Sequence, residues 1–192
     1  MADTTPSTRI FPNILITGTP GTGKTTTTLA FLDALPPSSP YSPIHVGSVV
    51  SSLGPSAGVR DPSLDTLVIT DEGEDRLLDE IEETLRDVER GYVIDHHSCG
   101  IFPERWVDLV VVLRGGTEVV FDRLTERGYG EGKIAENVEC EIMGVCLEEA
   151  RESFEEGVVV ELDGGGGEEG LEANVGRLVE WVKRWREDRG KN

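Results

Sequence analysis

The chain has 192 residues, with 18 Lys or Arg against 37 Asp or Glu and a formal net charge of -19. That length suits one compact domain with insertions, and that charge argues against passive attraction to nucleic-acid phosphate or an anionic membrane. Three cysteines with no C-x-x-C pair, and no apolar run near the ~18 residues of a membrane span, exclude a disulfide framework, a structural zinc site and a membrane protein as first readings.

Residues 1 to 12 lack a basic segment followed by a long apolar one, so they do not read as a signal peptide, and an intracellular, soluble chain is expected. Residues 1 to 10, small, polar and Pro-interrupted, are expected to fray. Asn13 to Thr17 is an apolar burst ending at glycines, a strand feeding a loop. Thr25 to Leu35 reads as a helix with Leu29 and Leu32 available for packing, stopped by Pro36-Pro37. Residues 36 to 65 carry most of the prolines, and only Ile44 to Val50 is apolar enough for a short strand and a helix start; the stretch reads as a mobile insertion. From Gly73 to Arg90 the positions Leu77, Leu78, Ile81, Leu85 and Val88 recur at helical spacing opposite an acidic face.

Tyr92 to Asp95 is a short apolar run ending in an acid. Leu109 to Leu113 and Gly157 to Leu162 have the Val/Leu-dense signature of parallel strands covered on both faces. Between them, Thr117 to Arg127 and Lys133 to Phe154 have helical spacing, with Ile134, Val138, Ile142 and Val145 as one stripe of the second. The run Gly164 to Gly167 reads as a flexible surface loop. A last helix follows, with Leu171, Val175, Leu178, Val179, Val182 and Trp185 as its packing stripe. Strands alternating with helices predict an α/β sandwich on a parallel sheet, a single domain over residues 1 to 192.

The chemistry starts at Gly18-Thr19-Pro20-Gly21-Thr22-Gly23-Lys24-Thr25, which fits G-x-x-x-x-G-K-[ST] between a predicted strand and a predicted helix. The glycines let the backbone turn its amides inward, and the helix N-terminus adds its dipole, so the loop can hold phosphate oxygens. Lys24 would bridge β and γ phosphates, and the Thr25 hydroxyl would ligate magnesium. A nucleoside triphosphate with Mg2+ is the ligand this pattern predicts. Asp95, at the end of a neighbouring strand, is the carboxylate expected to hold magnesium or its water. Of the two histidines that follow, His97 is expected to orient a water or phosphoryl oxygen because alternate strand positions point the same way, and His96 to be a hydrogen-bonded surface residue. Arg123 and Arg127 lie four apart on one helix face. They read either as the positive charge that phosphoryl transfer requires or as solvated partners of Glu118, Asp122 and Glu126.

The run Asn13 to Thr26 followed by His45-Val46-Gly47 resembles the start of the small nucleoside monophosphate kinases. Val93-Ile94-Asp95-His96-His97-Ser98-Cys99, Phe102-Pro103-Glu104-Arg105-Trp106, Val112-Leu113-Arg114 and Arg123-Leu124-x-x-Arg127-Gly128-Tyr129 resemble the atypical nuclear adenylate kinase family, of the adenylate kinase isoenzyme 6 type. The likeness continues through Lys133, Asn137-Val138-Glu139-Cys140-Glu141-Ile142 and Glu148-Glu149-Ala150 to the helix with Trp181 and Trp185. It implies a three-layer P-loop NTPase fold with a parallel five-stranded sheet, a nucleoside-monophosphate-binding insertion at about residues 44 to 75 and a short lid at about residues 128 to 139.

The resemblance also implies reversible ATP-dependent phosphorylation of AMP to ADP and Mg-dependent ATP hydrolysis. Beyond catalysis, it implies a part in late small-subunit ribosome maturation and 3′-end processing of the small-subunit rRNA precursor. The partners implied are the uS11-family ribosomal protein and the preribosomal small subunit, with RNA contact indirect, and the location is nucleus and cytoplasm. It assigns Gly18, Thr19, Pro20, Gly21, Thr22, Gly23, Lys24, Thr25 and Thr26 to ATP, and Thr25 and Asp95 to Mg2+. Asp95 and His97 go to the water-positioning side, Arg123 to the adenine, Arg127 to phosphate stabilisation, and Gly47 with Arg60 and Arg127 to the AMP side. Arg114 is expected to face or support the nucleotide end of its strand. Three departures stand out: Ser48 where the family has an acid, no basic residue in the following helix before Arg60, and His96 where the family has an aromatic. An ATP-gated assembly factor or uS11 chaperone with little kinase turnover is therefore the alternative, and a kinase for a non-nucleotide acceptor a third reading.

Overall fold

The computed structural model describes residues 9–61 and 66–189. In chain order the elements are β1 (Ile14–Thr17), α1 (Lys24–Ala34), β2 (Tyr41–His45), α2 (Val46–Leu53), a short 3-10 turn, β3 (Gly58–Asp61), β4 (Thr66–Ile69), α3 (Asp71–Leu85), β5 (Gly91–Asp95), a second 3-10 turn, β6 (Leu109–Arg114), α4 (Thr117–Glu126), α5 (Glu131–Met143), α6 (Val145–Ser153), a third 3-10 turn, β7 (Val159–Asp163) and α7 (Gly167–Arg189).

Five strands pair in parallel in the order β2-β5-β1-β6-β7. Side chains of a strand alternate between faces, and here both faces are covered. Ile14, Ile16, Val93, Leu109, Val111 and Leu113 pack with Phe31 of α1 and Val175, Leu178 and Val182 of α7. On the other face Leu15, Ile94, Val110 and Val112 pack with Val46, Leu77, Ile81, Leu147 and Ala150. This is why the strands read as unbroken apolar runs: each large side chain buried on either face contributes roughly 1.5–3 kcal/mol. The result is the three-layer α/β fold expected from the alternation of elements. Asn13 secures the central strand below the site. Fully buried, it accepts from the Tyr92 amide at 3.0 Å and donates to the Trp106 carbonyl at 2.9 Å.

Four local expectations are corrected. Arg9 and Ile10 are not frayed: Arg9 pairs with Asp108, and the Ile10 amide donates to the Val88 carbonyl; residues 1–8 lie outside the described residues. The stretch 36 to 65, read as a mobile insertion with elements only at Ile44 to Val50, holds β2, α2 and β3, the last paired antiparallel with β4 as a hairpin, while residues 62–65 lie outside the described residues. The hairpin escapes a pattern search because its strands have four residues each and Val59 and Val68 face solvent. The helix expected from Lys133 to Phe154 is two, broken at Gly144 with φ 70, a left-handed turn that ordinary residues avoid. The break rotates the stripe, so Ile142 and Val145 are exposed rather than packed. Finally, Phe31 rather than Leu29 carries the α1 packing, and α3 ends at Leu85, leaving Val88 exposed beyond it.

Candidate functional site

β1 lies at the centre of the sheet; the chain leaves it for β2 on one side and later crosses from β5 to β6 on the other, so its carboxyl end opens where α/β sheets hold ligands. There Gly18, Gly21 and Gly23 take φ of 138, 96 and 98. Gly18 is required twice over, since a Cβ there would also lie 2.3 Å from the Leu113 carbonyl oxygen. The Thr19 carbonyl closes the loop by accepting from the Thr22 amide at 3.2 Å and the Thr22 hydroxyl at 2.9 Å. Pro20 is half-buried on the turn and Thr26 is exposed on the first turn of α1.

Lys24 arches back over the loop, its ammonium donating to the carbonyls of Gly18 at 2.7 Å and Thr19 at 3.2 Å. Burial pushes its pKa down to about 8, with Arg127 adding to the effect while Asp95 opposes it. The Thr25 hydroxyl donates to Asp95 Oδ2 at 2.6 Å, and His45 Nδ1 stands 3.3 Å from the same oxygen. Parallel pairing makes this meeting unavoidable, because Asp95 is in register with both Ile16 and His45 at the ends of their strands. A hydroxyl and a carboxylate converging beside a phosphate-binding loop are the hard oxygen donors Mg2+ takes, with phosphate oxygens and water completing the shell. The residues therefore fit the ion.

The other predicted residues distribute around this centre. His97 is exposed, its carbonyl accepting from the Thr17 hydroxyl at 3.1 Å. The surrounding protein, then His96 and Lys24, push its imidazole down to about 4. His96 is also lowered by burial; its Nδ1 lies 2.7 Å from the Ser98 carbonyl, and its ring packs 4.3 Å from that of His97. Arg123 donates from one Nη1 to the carbonyls of Gly21 and Gly164, both at 2.9 Å, fastening the phosphate loop to the turn after β7. Neither reading of Arg123 anticipated that clasp. It and Arg127 also border a cavity of about 270 Å³ with Gly23, Thr26, Asp163, Gly164 and Asn174. Gly47 is in the first turn of α2 with open space around its Cα. Arg60 sits on β3, in the separate hairpin rather than the main sheet, and α2 carries no basic residue.

Two carboxylates were missed as site residues. Glu141, buried on α5, accepts from Arg114 Nε at 2.7 Å, the Gly115 amide at 2.9 Å and the Thr19 hydroxyl. Arg114 thus supports the strand end. Glu149, on α6, accepts from the Ser98 hydroxyl at 2.7 Å and from the Cys99 and Gly100 amides at 3.2 Å, holding the loop after His97. Their signal in the sequence was membership in the Asn137 to Ile142 and Glu148 to Ala150 blocks that carry the family resemblance, which gave neither carboxylate a role.

The family model described as "AAA domain" matches residues 14–144. The chain is 47% identical over 176 residues to the "Adenylate kinase isoenzyme 6 homolog" of Caenorhabditis elegans, covering 92% of each chain. It is 43% identical over 180 residues to the protein of the same name in Schizosaccharomyces pombe, covering 94% of this chain and 97% of that one. Among solved structures it is similar to a gluconokinase from Sinorhizobium meliloti, with TM-score 0.54 and 16% identity over 92% of this chain and 98% of the other. At that identity the likeness speaks for the fold alone.

Proposed function

The chain belongs to the adenylate kinase isoenzyme 6 family, and from that premise we propose that this adenylate-kinase-like nucleotide kinase transfers the γ-phosphoryl group of MgATP to AMP, giving two ADP, and to water when AMP is absent. The observation that carries the reading is the convergence of Lys24, Thr25 and Asp95 at a loop whose glycines turn its amides to one side.

In this reading loop amides between Gly18 and Lys24, other than at Pro20, which has no N–H, cradle the phosphates, and Lys24 leaves its carbonyl partners for the β and γ oxygens. Thr25 and Asp95 hold Mg2+, which when bound offsets charge on the phosphate oxygens. Arg123 and the cavity beside it take the adenine, while Arg127, exposed at the end of α4, stabilises the phosphates. A neutral His97 orients the attacking water or phosphoryl oxygen; its lowered pKa supports the neutral form. Gly47 and Arg60, in the insertion of residues 44 to 75, face AMP, and the lid of residues 128 to 139 closes over the site and excludes water. The partner is the uS11-family ribosomal protein on the preribosomal small subunit, in nucleus and cytoplasm, with a role in 3′-end rRNA processing. A net charge of -19 supports a basic partner.

One observation favours the alternative, an ATP-gated assembly factor: α2, where an AMP-binding arginine would be expected, has the sequence VGSVVSSL. Chromatography of nucleotides from the protein with MgATP, with and without AMP, and with Lys24→Ala as the blank, separates the two. The kinase reading expects two ADP for each ATP and AMP consumed. ADP and free phosphate with AMP untouched would overturn it in favour of the alternative.

A further inference from the structure

The phosphate-loop pattern leaves Thr19 unspecified, yet its side chain is 1% exposed and its hydroxyl donates to Glu141, which is 2% exposed. Glu141 is already engaged through its other oxygen by Arg114 and the Gly115 amide. Its own carbonyl accepts from Arg114 Nη2 at 2.8 Å. A buried carboxylate needs partners for both oxygens, and α5 takes one of them from the phosphate loop itself. From Thr19 the connection continues, because its carbonyl accepts from Lys24 and from Thr22. The helix at the far end of this chain of bonds sits between two left-handed glycines, Gly128 with φ 73 and Gly144 with φ 70. Turns of this kind at the ends of an element are where a change of seating is commonly absorbed.

We propose that Glu141 is a positioning residue that couples the seating of α5 to the geometry of the phosphate loop. With α5 seated, Thr19 is held and the loop is preformed for phosphate; with α5 displaced, the loop loses its brace and ATP binds more weakly. The gain is preorganisation, so it appears in nucleotide affinity more than in the rate at saturation. This inference rests on the MgATP reading of the site.

Thr19→Val tests it cleanly, since valine fills the same volume without the hydroxyl. MgATP binding by calorimetry on the full chain should weaken about tenfold, the scale of one hydrogen bond to a charged group, with kcat at saturating ATP changing less. Thr19→Ser, which keeps the hydroxyl, should recover most of the loss, and Glu141→Ala combined with Thr19→Val should weaken binding no more than Glu141→Ala alone. If Glu141→Ala does not fold, the Val and Ser variants carry the test between them. Wild-type affinity in folded Thr19→Val, or equal losses in Val and Ser, overturns the coupling. Should the wild-type protein bind no MgATP, the functional reading fails instead. The coupling is then decided by hydrogen exchange of the amides of Gly18, Thr19 and residues 21–23 in the nucleotide-free protein, which Thr19→Val should accelerate and Thr19→Ser should not; unchanged exchange overturns it.

Discussion

Lys24 holds the position on which most of the site chemistry converges. Replacing it with alanine removes the ammonium that spans the Gly18 and Thr19 carbonyls, while the buried sheet beneath is untouched. We expect Lys24→Ala to fold with a near-wild-type melting curve and to lose ATP turnover; turnover at the wild-type level would refute the phosphate role. Its pKa of about 8, down from an ordinary 10.5, has two consequences of opposite sign. Phosphates favour the ammonium, so above pH 8 MgATP binding must draw in a proton and affinity falls as pH rises. Calorimetry in two buffers of different ionisation heat should register that uptake. Stability of the nucleotide-free protein moves the other way through this group. Between about pH 8 and 10.5 the unfolded chain binds more protons than the folded one, so unfolding free energy rises with pH. Asp95→Asn leaves the shape but removes the charge proposed to hold Mg2+, and should lower the magnesium-dependent rate by at least about a hundredfold, measured at limiting Mg2+. Lys24, Thr25 and Asp95 were legible in the sequence because spacing and strand ends place them. Glu141 and Glu149 were not, because a carboxylate inside an acidic chain gives no local sign that it is buried and bonded across 122 residues to Thr19 or 51 to Ser98.

At the scale of elements, the packing stripe of α3 was legible from Leu77, Leu78, Ile81 and Leu85, while both of its ends, read as Gly73 and Arg90, lie elsewhere at Asp71 and Leu85. Thr70 caps it, its hydroxyl accepting from the Gly73 amide at 3.2 Å, and Asp71, Glu72 and Glu74 face the positive end of the helix dipole. Thr70→Ala should therefore cost about 1 kcal/mol in urea unfolding, with no change in the slope of the transition. The α5–α6 break was not legible, since Val138, Ile142 and Val145 continue a helical stripe across it and a lone glycine inside such a stripe is often tolerated. What decides is tertiary: Glu141 and Glu149 are each tied to a different loop, and a straight helix would fix them about 12 Å apart along its axis and about 80° around it. Gly144 turns the chain between those two anchors. Gly144→Ala should strain a φ of 70 and lower the melting temperature. It should also weaken MgATP binding in parallel, because both carboxylates are displaced together.

For the molecule as a whole, the charge that excluded a default nucleic-acid or membrane binder also sets how a basic partner would arrive. Acidic residues are spread over the wet faces of α3, α6 and α7. The site sets Lys24, Arg123 and Arg127 among the carboxylates of Asp95, Glu141 and Asp163, while the wet helix faces carry acidic charge that the proposed basic partner would meet first. Long-range attraction acts on the encounter, so its signature is kinetic: raising salt from about 0.05 to about 0.3 M shortens the Debye length below 10 Å and should slow association markedly while leaving dissociation nearly constant. Stopped-flow mixing with a uS11-family ribosomal protein measures both rates. An association rate insensitive to salt would place the contact in a small apolar patch and detach it from the acidic surface. A salt-sensitive rate that also changes with bound MgATP would tie that surface to the occupancy of the phosphate loop.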